Sequence, residues 1–182
     1  IEKNIKKIEK NIGKFVNNIF LMIDTDQTIS ICISLMKKID NRKIQKKDIQ
    51  YLIQDAKQQI LLAYSNMSIF HIIINKYVID GLDYNFAPKD ISCNKISLDI
   101  EFICLPRNLI KKLEGLFSNF QISVDRIICS KYAKSTLGNR IDDHICKIGH
   151  NINNGYNKQE VVIVPKKVEK KGFFEKLFYF FK

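Results

Sequence analysis

Glycine is scarce in this chain, with seven residues in 182. Phosphate-cradling loops need glycine-rich turns whose N–H groups converge on an anion. Neither GxGxxG nor GxxxxGK[ST] is present, and GxSxG and HExxH are missing as well. The sequence therefore reads as non-enzymatic and cofactor-free. The five cysteines, Cys32, Cys93, Cys104, Cys129 and Cys146, are odd in number and form no CxxC pair, which suits reduced thiols of a cytosolic protein rather than a disulfide framework. His144, Cys146 and His150 make the one zinc-like grouping and lack a fourth ligand, so no metal is expected. The start, IEKNIKKIEKNIGKF, is polar and charged, unlike a secretory leader, and without an initiator Met it reads as part of a longer product. No internal repeat is visible.

The positive charge is the first thing the chain has in quantity. Thirty Lys and Arg against nineteen Asp and Glu give a formal net charge of +11, which invites a nucleic-acid reading. The lysines are spread widely among Ile and Asn, however, with no RNP-like, helix-turn-helix or finger pattern. Nucleic acid is accordingly not expected as a partner, although a basic nucleic-acid-binding module stands as the alternative reading, beside a gene remnant without function. Asp142 and Asp143 read as solvated surface, and His71, inside an apolar run, as a core or edge histidine rather than a catalytic base.

Apolar periodicity gives the fold class. Ile1, Ile5, Ile8 and Ile12 recur at helical spacing, and IFLMID reads as a strand. TISICISLM alternates Ile29, Ile31, Ile33 and Leu35 against Ser30, Cys32 and Ser34, a half-buried strand. From Gln45 to Ala63, Ile49, Leu52, Ile53, Ala56 and Ile60 form the stripe of a helix, with Asp48 in its first turn. SIFHIIINKYVID is apolar on both faces and should be a central strand ending at Asp80-Gly81. ISLDIEFIC points Ile96, Leu98, Ile100 and Phe102 inward and Ser97, Asp99 and Glu101 outward. Pro106 opens a second helix with Leu109, Ile110, Leu113, Leu116, Phe117 and Phe120 on one stripe, and QISVDRIIC is a last strand. The order strand, helix, strand, strand, helix, strand predicts an α+β layer with helices packed on one side of a small sheet. Beyond Cys129 the pattern weakens, and residues 136–165 are expected to pack poorly.

The final stretch, GFFEKLFYFFK, is the strongest local signal. At helical spacing Phe173, Phe174, Leu177, Phe178, Phe180 and Phe181 share one face, while Glu175, Lys176, Tyr179 and Lys182 take the other. The helix is too short to span a bilayer, which takes about 20 residues, but it suits the membrane interface. It follows a basic tether, PKKVEKK, whose Lys170 and Lys171 lie where an anionic headgroup layer would attract them. Lys170, Lys171 and the apolar face are the candidate membrane-binding residues.

Several motifs taken in order resemble the bacterial cell-division protein FtsA, an actin-like family. Ile44, Asp48-Ile49 and Ala56 fall on the family's I-T-x-x-D-I…A helix start. Tyr77, Asp80 and Gly81 match its Y-x-V-D-G strand end. Leu98, Leu109, Val124-Asp125 and Ala133-Lys134-Ser135 follow its strand, helix, G-L-x-V-D and A-S series. The resembling region is the SHS2 insertion, subdomain 1C, and it implies an SHS2-type fold, strand-helix-strand-strand, plus the C-terminal amphipathic helix with which the family attaches to the cytoplasmic membrane. It also implies four segments: residues 1–24 as the end of an actin-like 1A subdomain, 25–135 as SHS2, 136–169 as a weakly structured remnant and linker, and 170–182 as the membrane-targeting helix. The expected role is a division-site adaptor on the cytoplasmic side of the inner membrane, with FtsZ, other division proteins and anionic lipid as partners and self-association possible. The family binds ATP, but its D-x-G-[ST], D-I-G-G-G-T-T-D and G-G-G loops are missing here, so no nucleotide is expected.

Overall fold

In the computed structural model, residues 1–88, 90–136 and 144–161 are described. The elements are α1 (Glu2–Ile12), β1 (Asn18–Ile23), β2 (Ile29–Lys43), α2 (Lys46–Ala63), β3 (Met67–Ile79), β4 (Leu82–Tyr84), β5 (Ser92–Pro106), α3 (Arg107–Ser118), β6 (Ser123–Cys129), α4 (Ser130–Ser135) and α5 (Ile145–Asn153). The α+β order expected from the sequence is present, with the short β4 added as a hairpin arm. The β3–β4 turn shows why the Asp-Gly pair ends the strand. Asp80 and Gly81 both take positive φ, 48° and 91°, as a two-residue hairpin turn of the primed type requires. The Asp80 carboxylate then accepts N–H bonds from Asn94 and Lys95, fixing the turn to β5.

β2, β5, β3 and β4 form one antiparallel sheet in that spatial order. Alternation assigns its two faces. Ile96, Leu98, Ile100 and Phe102 of β5 are at most 1% exposed and lie with Ile72, Ile74 and Ile79 of β3 under the stripe Leu52, Ile53, Ala56 and Ile60 of α2. Ala56, fully buried, leaves room for the helix to lie close on the sheet. A capping box between Gln45 and Asp48 starts α2. Asp48 does more than complement the helix dipole: it is completely buried and held by both nitrogens of Arg42 at 2.7 and 2.8 Å and by Lys37 at 2.9 Å.

Two expectations need correction. The strand at 123–129 does not join the main sheet. β6 pairs in parallel with β1 as a separate two-stranded sheet, so residues expected to belong to an adjoining subdomain, 18–23, are built together with the end of the 25–135 segment. The other face of the main sheet is therefore covered as well: Ile73 of β3 and Ile103 of β5 pack with Ile128, Tyr132, Ala133, Ile148 and Ile152 of β6, α4 and α5. The helices are not all on one side. Alternation put Ile73 and Ile103 on this face, but the local pattern could not say what covers them.

The second correction concerns the region after residue 135. Within it, residues 144–161 are structured and packed: α5 buries Ile148 and Ile152, and Gly149 lets the helix approach β1 so closely that an added Cβ would lie 2.7 Å from the Met22 terminal methyl. The chain then returns to the main sheet. Ile74 N–H bonds to Gln159 O at 2.9 Å and Val161 N–H to Ile72 O at 2.8 Å, so residues 159–161 lie along the β3 margin that β4 leaves open.

Candidate functional site

The returning segment carries a buried carboxylate into the body. Glu160, with its side chain 1% exposed, accepts from Arg126 Nη2 at 2.6 Å, from Tyr132 Oη at 3.0 Å and from His71 Nδ1 at 2.7 Å. These partners come from β6, α4 and β3. His71 Nε2 accepts the backbone N–H of Cys129 at 3.0 Å, which assigns the proton to Nδ1 and the neutral form to the ring. Tyr132 tilts over that ring with centroids 4.4 Å apart and accepts from Asn157 Nδ2 at 2.9 Å. Burial, reinforced by the Glu160 charge, pushes the Tyr132 hydroxyl far above its ordinary pKa, so it stays a donor. Both imidazole nitrogens are engaged, and so are both carboxylate oxygens. The cluster is a joint that ties β3, β6 and α4 to the returning segment.

Beside the joint, a groove of about 640 Å³ runs between the open part of the sheet and α4, with Asn75, Glu101 and Ile103 on its floor and Lys131, Tyr132 and Tyr156 around it. Its lining mixes Ile73 and Ile103 with polar groups and one carboxylate, Glu101, to which Ser30 donates. Farther along the same face, outside the groove, Ser34 donates to Asp99 at 2.6 Å and Lys76 pairs with Asp99 at 3.6 Å. Lys131 is held by Asp26 at 3.2 Å. A sheet face that binds single-stranded nucleic acid presents aromatics and free cations. Of the large exposed aromatics, Phe15, Phe20, Tyr51 and Phe86 lie elsewhere and Tyr156 alone of these lines the groove; one ring beside the Glu101 carboxylate and a paired Lys131 is not a stacking platform with free cations, which argues against the nucleic-acid alternative.

The sequence-level site residues fall as follows. Lys170, Lys171, Phe173, Phe174, Leu177, Phe178, Phe180 and Phe181 lie outside the described residues, as do Asp142 and Asp143. The zinc-like group is divided among other roles: His144 caps α5 by accepting from Cys146 N–H at 3.3 Å, and His150 bonds the Asn154 side chain at 2.9 Å. Among the described residues no cluster of three or more His, Cys, Asp and Glu side chains could hold a metal ion, and no helix is long and apolar enough to cross a membrane. Of the two placements expected for His71, core or edge, the structure has the core one. Sequence reasoning missed Glu160 and Arg126. Their signal was His71 itself, since a histidine in a strand apolar on both faces must find partners for two ring nitrogens.

A long helix laid over an antiparallel sheet, with the chain running strand, helix, strand, strand, is the SHS2 architecture. Residues 26–104 match the family described as the SHS2 domain inserted in FTSA. That stretch, from the approach to β2 through most of β5, is an SHS2 domain of the FtsA type, and it associates the chain with cell division. No curated protein matches the chain.

Proposed function

We propose that this protein is a non-enzymatic division-site adaptor. It holds FtsZ and later division proteins at the cytoplasmic face of the inner membrane through the amphipathic segment at 170–182, and it uses no nucleotide. The observation that carries the reading is the occurrence in one chain of an FtsA-type SHS2 domain at residues 26–104 and a basic, phenylalanine-faced terminal segment. The joint gives the reading a mechanical basis. Val161, the last described residue ahead of the tether, is bonded to β3, and its neighbour Glu160 is anchored to three elements of the body. Force from a membrane-held tail would enter through a central strand rather than through a loose end.

Burying a Phe side chain contributes about 1.5–3 kcal/mol. Several such side chains, partly inserted, offset the cost of ordering a short helix, and the lysines add an attraction that salt weakens. The test is sedimentation with anionic vesicles. Wild type should pellet with them, and Phe174→Glu combined with Phe178→Glu should release the protein while leaving its thermal unfolding unchanged. A 166–182 peptide should gain helical circular dichroism only when vesicles are added. Undiminished sedimentation of the double variant would refute the membrane step.

A further inference from the structure

An edge strand exposes a row of unpaired N–H and C=O groups, and natural sequences guard such edges with charges, bulges or proline. β2 pairs with β5 on one side, and among the described residues nothing pairs with its other side. Its two parts are built differently. The C-terminal part carries Lys37, Lys38, Arg42 and Lys43, and its register breaks between Lys38 and Arg42, where Asp40 and Asn41 turn to positive φ. The stretch from Ile29 to Met36, ISICISLM, has no charge, no proline and no break in register. An edge guarded at one end and bare over about 27 Å has the form of an interaction surface.

We propose that this bare edge pairs with the same edge of a second copy, antiparallel about Ile33, joining two four-stranded sheets into one. In that register Ile33 faces its own counterpart, Ile31 faces Leu35, Cys32 faces Ser34 and Ser30 faces Met36. Opposite residues in an antiparallel pair share a face, so every contact joins side chains from the same side of the sheet. Ile31, Ile33 and Leu35 are only partly buried at the margin of the α2 core, and they would extend that core across the junction. Lys37 and Lys38 fall opposite Ile29 and Thr28, so no like charges meet. The contact is isologous and closes as a dimer. A foreign acidic strand fits less well, because it would find no cation before Lys37.

The test compares wild type with a variant carrying Cys32→Lys and Ser34→Lys. Both residues are exposed and pair with Glu101 and Asp99 of β5, so the new ammonium groups have partners within the fold but face each other twice across the proposed junction. In sedimentation velocity on the full chain, wild type should shift from monomer to dimer with concentration, and the variant should dimerise at least tenfold more weakly. Hydrogen exchange should show concentration-dependent protection confined to residues 29–36 in wild type and lost in the variant. A chain monomeric at every concentration, a dimer indifferent to the lysines, or protection arising elsewhere would each overturn the proposal. So would a monomer whose 29–36 amides become protected only when a synthetic acidic strand peptide is added.

Discussion

Glu160 Oε1 and His71 Nδ1 lie 2.7 Å apart although 89 positions separate them in the chain. Arg126 shares the same oxygen at 2.6 Å, so the carboxylate, drawn from a polar stretch near the end of the described chain, ties the main sheet to the β1–β6 sheet. Breaking a buried ion pair by deleting one partner costs about 3–5 kcal/mol, because the other charge is left without compensation. Glu160→Ala should lower stability by about that amount in urea unfolding, and limited proteolysis should then cut within residues 144–161, where wild type should resist. A variant as stable as wild type and equally resistant there would show that the joint does not hold the body together.

The pairing among Glu160, Arg126, Tyr132 and His71 should also be strongly non-additive, since residues sharing one network do not contribute independently. After Glu160→Ala, the further change Tyr132→Phe should cost much less than it does in wild type, because the hydroxyl has already lost its acceptor. Equal costs in the two backgrounds, measured by denaturant midpoints, would contradict the geometry.

What the sequence disclosed and what it concealed divide along contact range. The alternation of Ile96, Leu98, Ile100 and Phe102 and the stripe through Leu52, Ala56 and Ile60 are local patterns with periods of about two and 3.6 residues, and the structure buries those residues. The partner of β6 was not legible, because QISVDRIIC has the same apolar pattern whether it joins the main sheet or pairs in parallel with β1. The joint was hidden for a related reason: Glu160 stands beside an unremarkable VVIV run, and only its distant contacts mark it.

Asp48 should make the protein acid-sensitive. The Arg42 guanidinium, helped by Lys37 and the Gln45 N–H, holds this carboxyl well below the usual carboxylate range despite burial acting the other way. A depressed folded pKa means that the unfolded chain binds the proton more readily. Its stabilisation is therefore complete above the unfolded value of about 3.9 and is lost as pH falls through the folded value. Urea midpoints should drop between about pH 5 and pH 3 in wild type and drop less in Asp48→Asn, which will already be less stable at neutral pH. Parallel acid profiles for the two proteins would remove Asp48 from the explanation.

Alkali should act through the core thiol. Burial pushes the Cys104 thiol up to about 11, whereas a free thiol ionises near about 8.5. As pH rises through that interval the unfolded chain releases the proton and Cys104 retains it, so stability falls with rising pH. Cys104→Val, a compact apolar replacement on the α2 side of β5, should flatten the decline between about pH 8.5 and 10.5. An unchanged slope would assign the alkaline loss to other groups such as Tyr132, whose folded pKa is raised in the same direction.

The absence of a phosphate loop leads to the last expectation. The groove beside the joint is large enough to attract attention, but Glu101 lies on its floor and Lys131 is already paired with Asp26. Nucleotide phosphates would meet a carboxylate where they need converging N–H groups and a free cation. Calorimetric titration of the full chain with ATP and magnesium should give no saturable heat, and adding ATP should leave the thermal midpoint unmoved, since a ligand bound to the folded state would raise it by mass action. A micromolar, magnesium-dependent isotherm would mean that the chain binds nucleotide through groups other than a glycine-rich phosphate loop. Glu101→Gln would then locate the site, since neutralising the groove floor should tighten binding only if the nucleotide lies there.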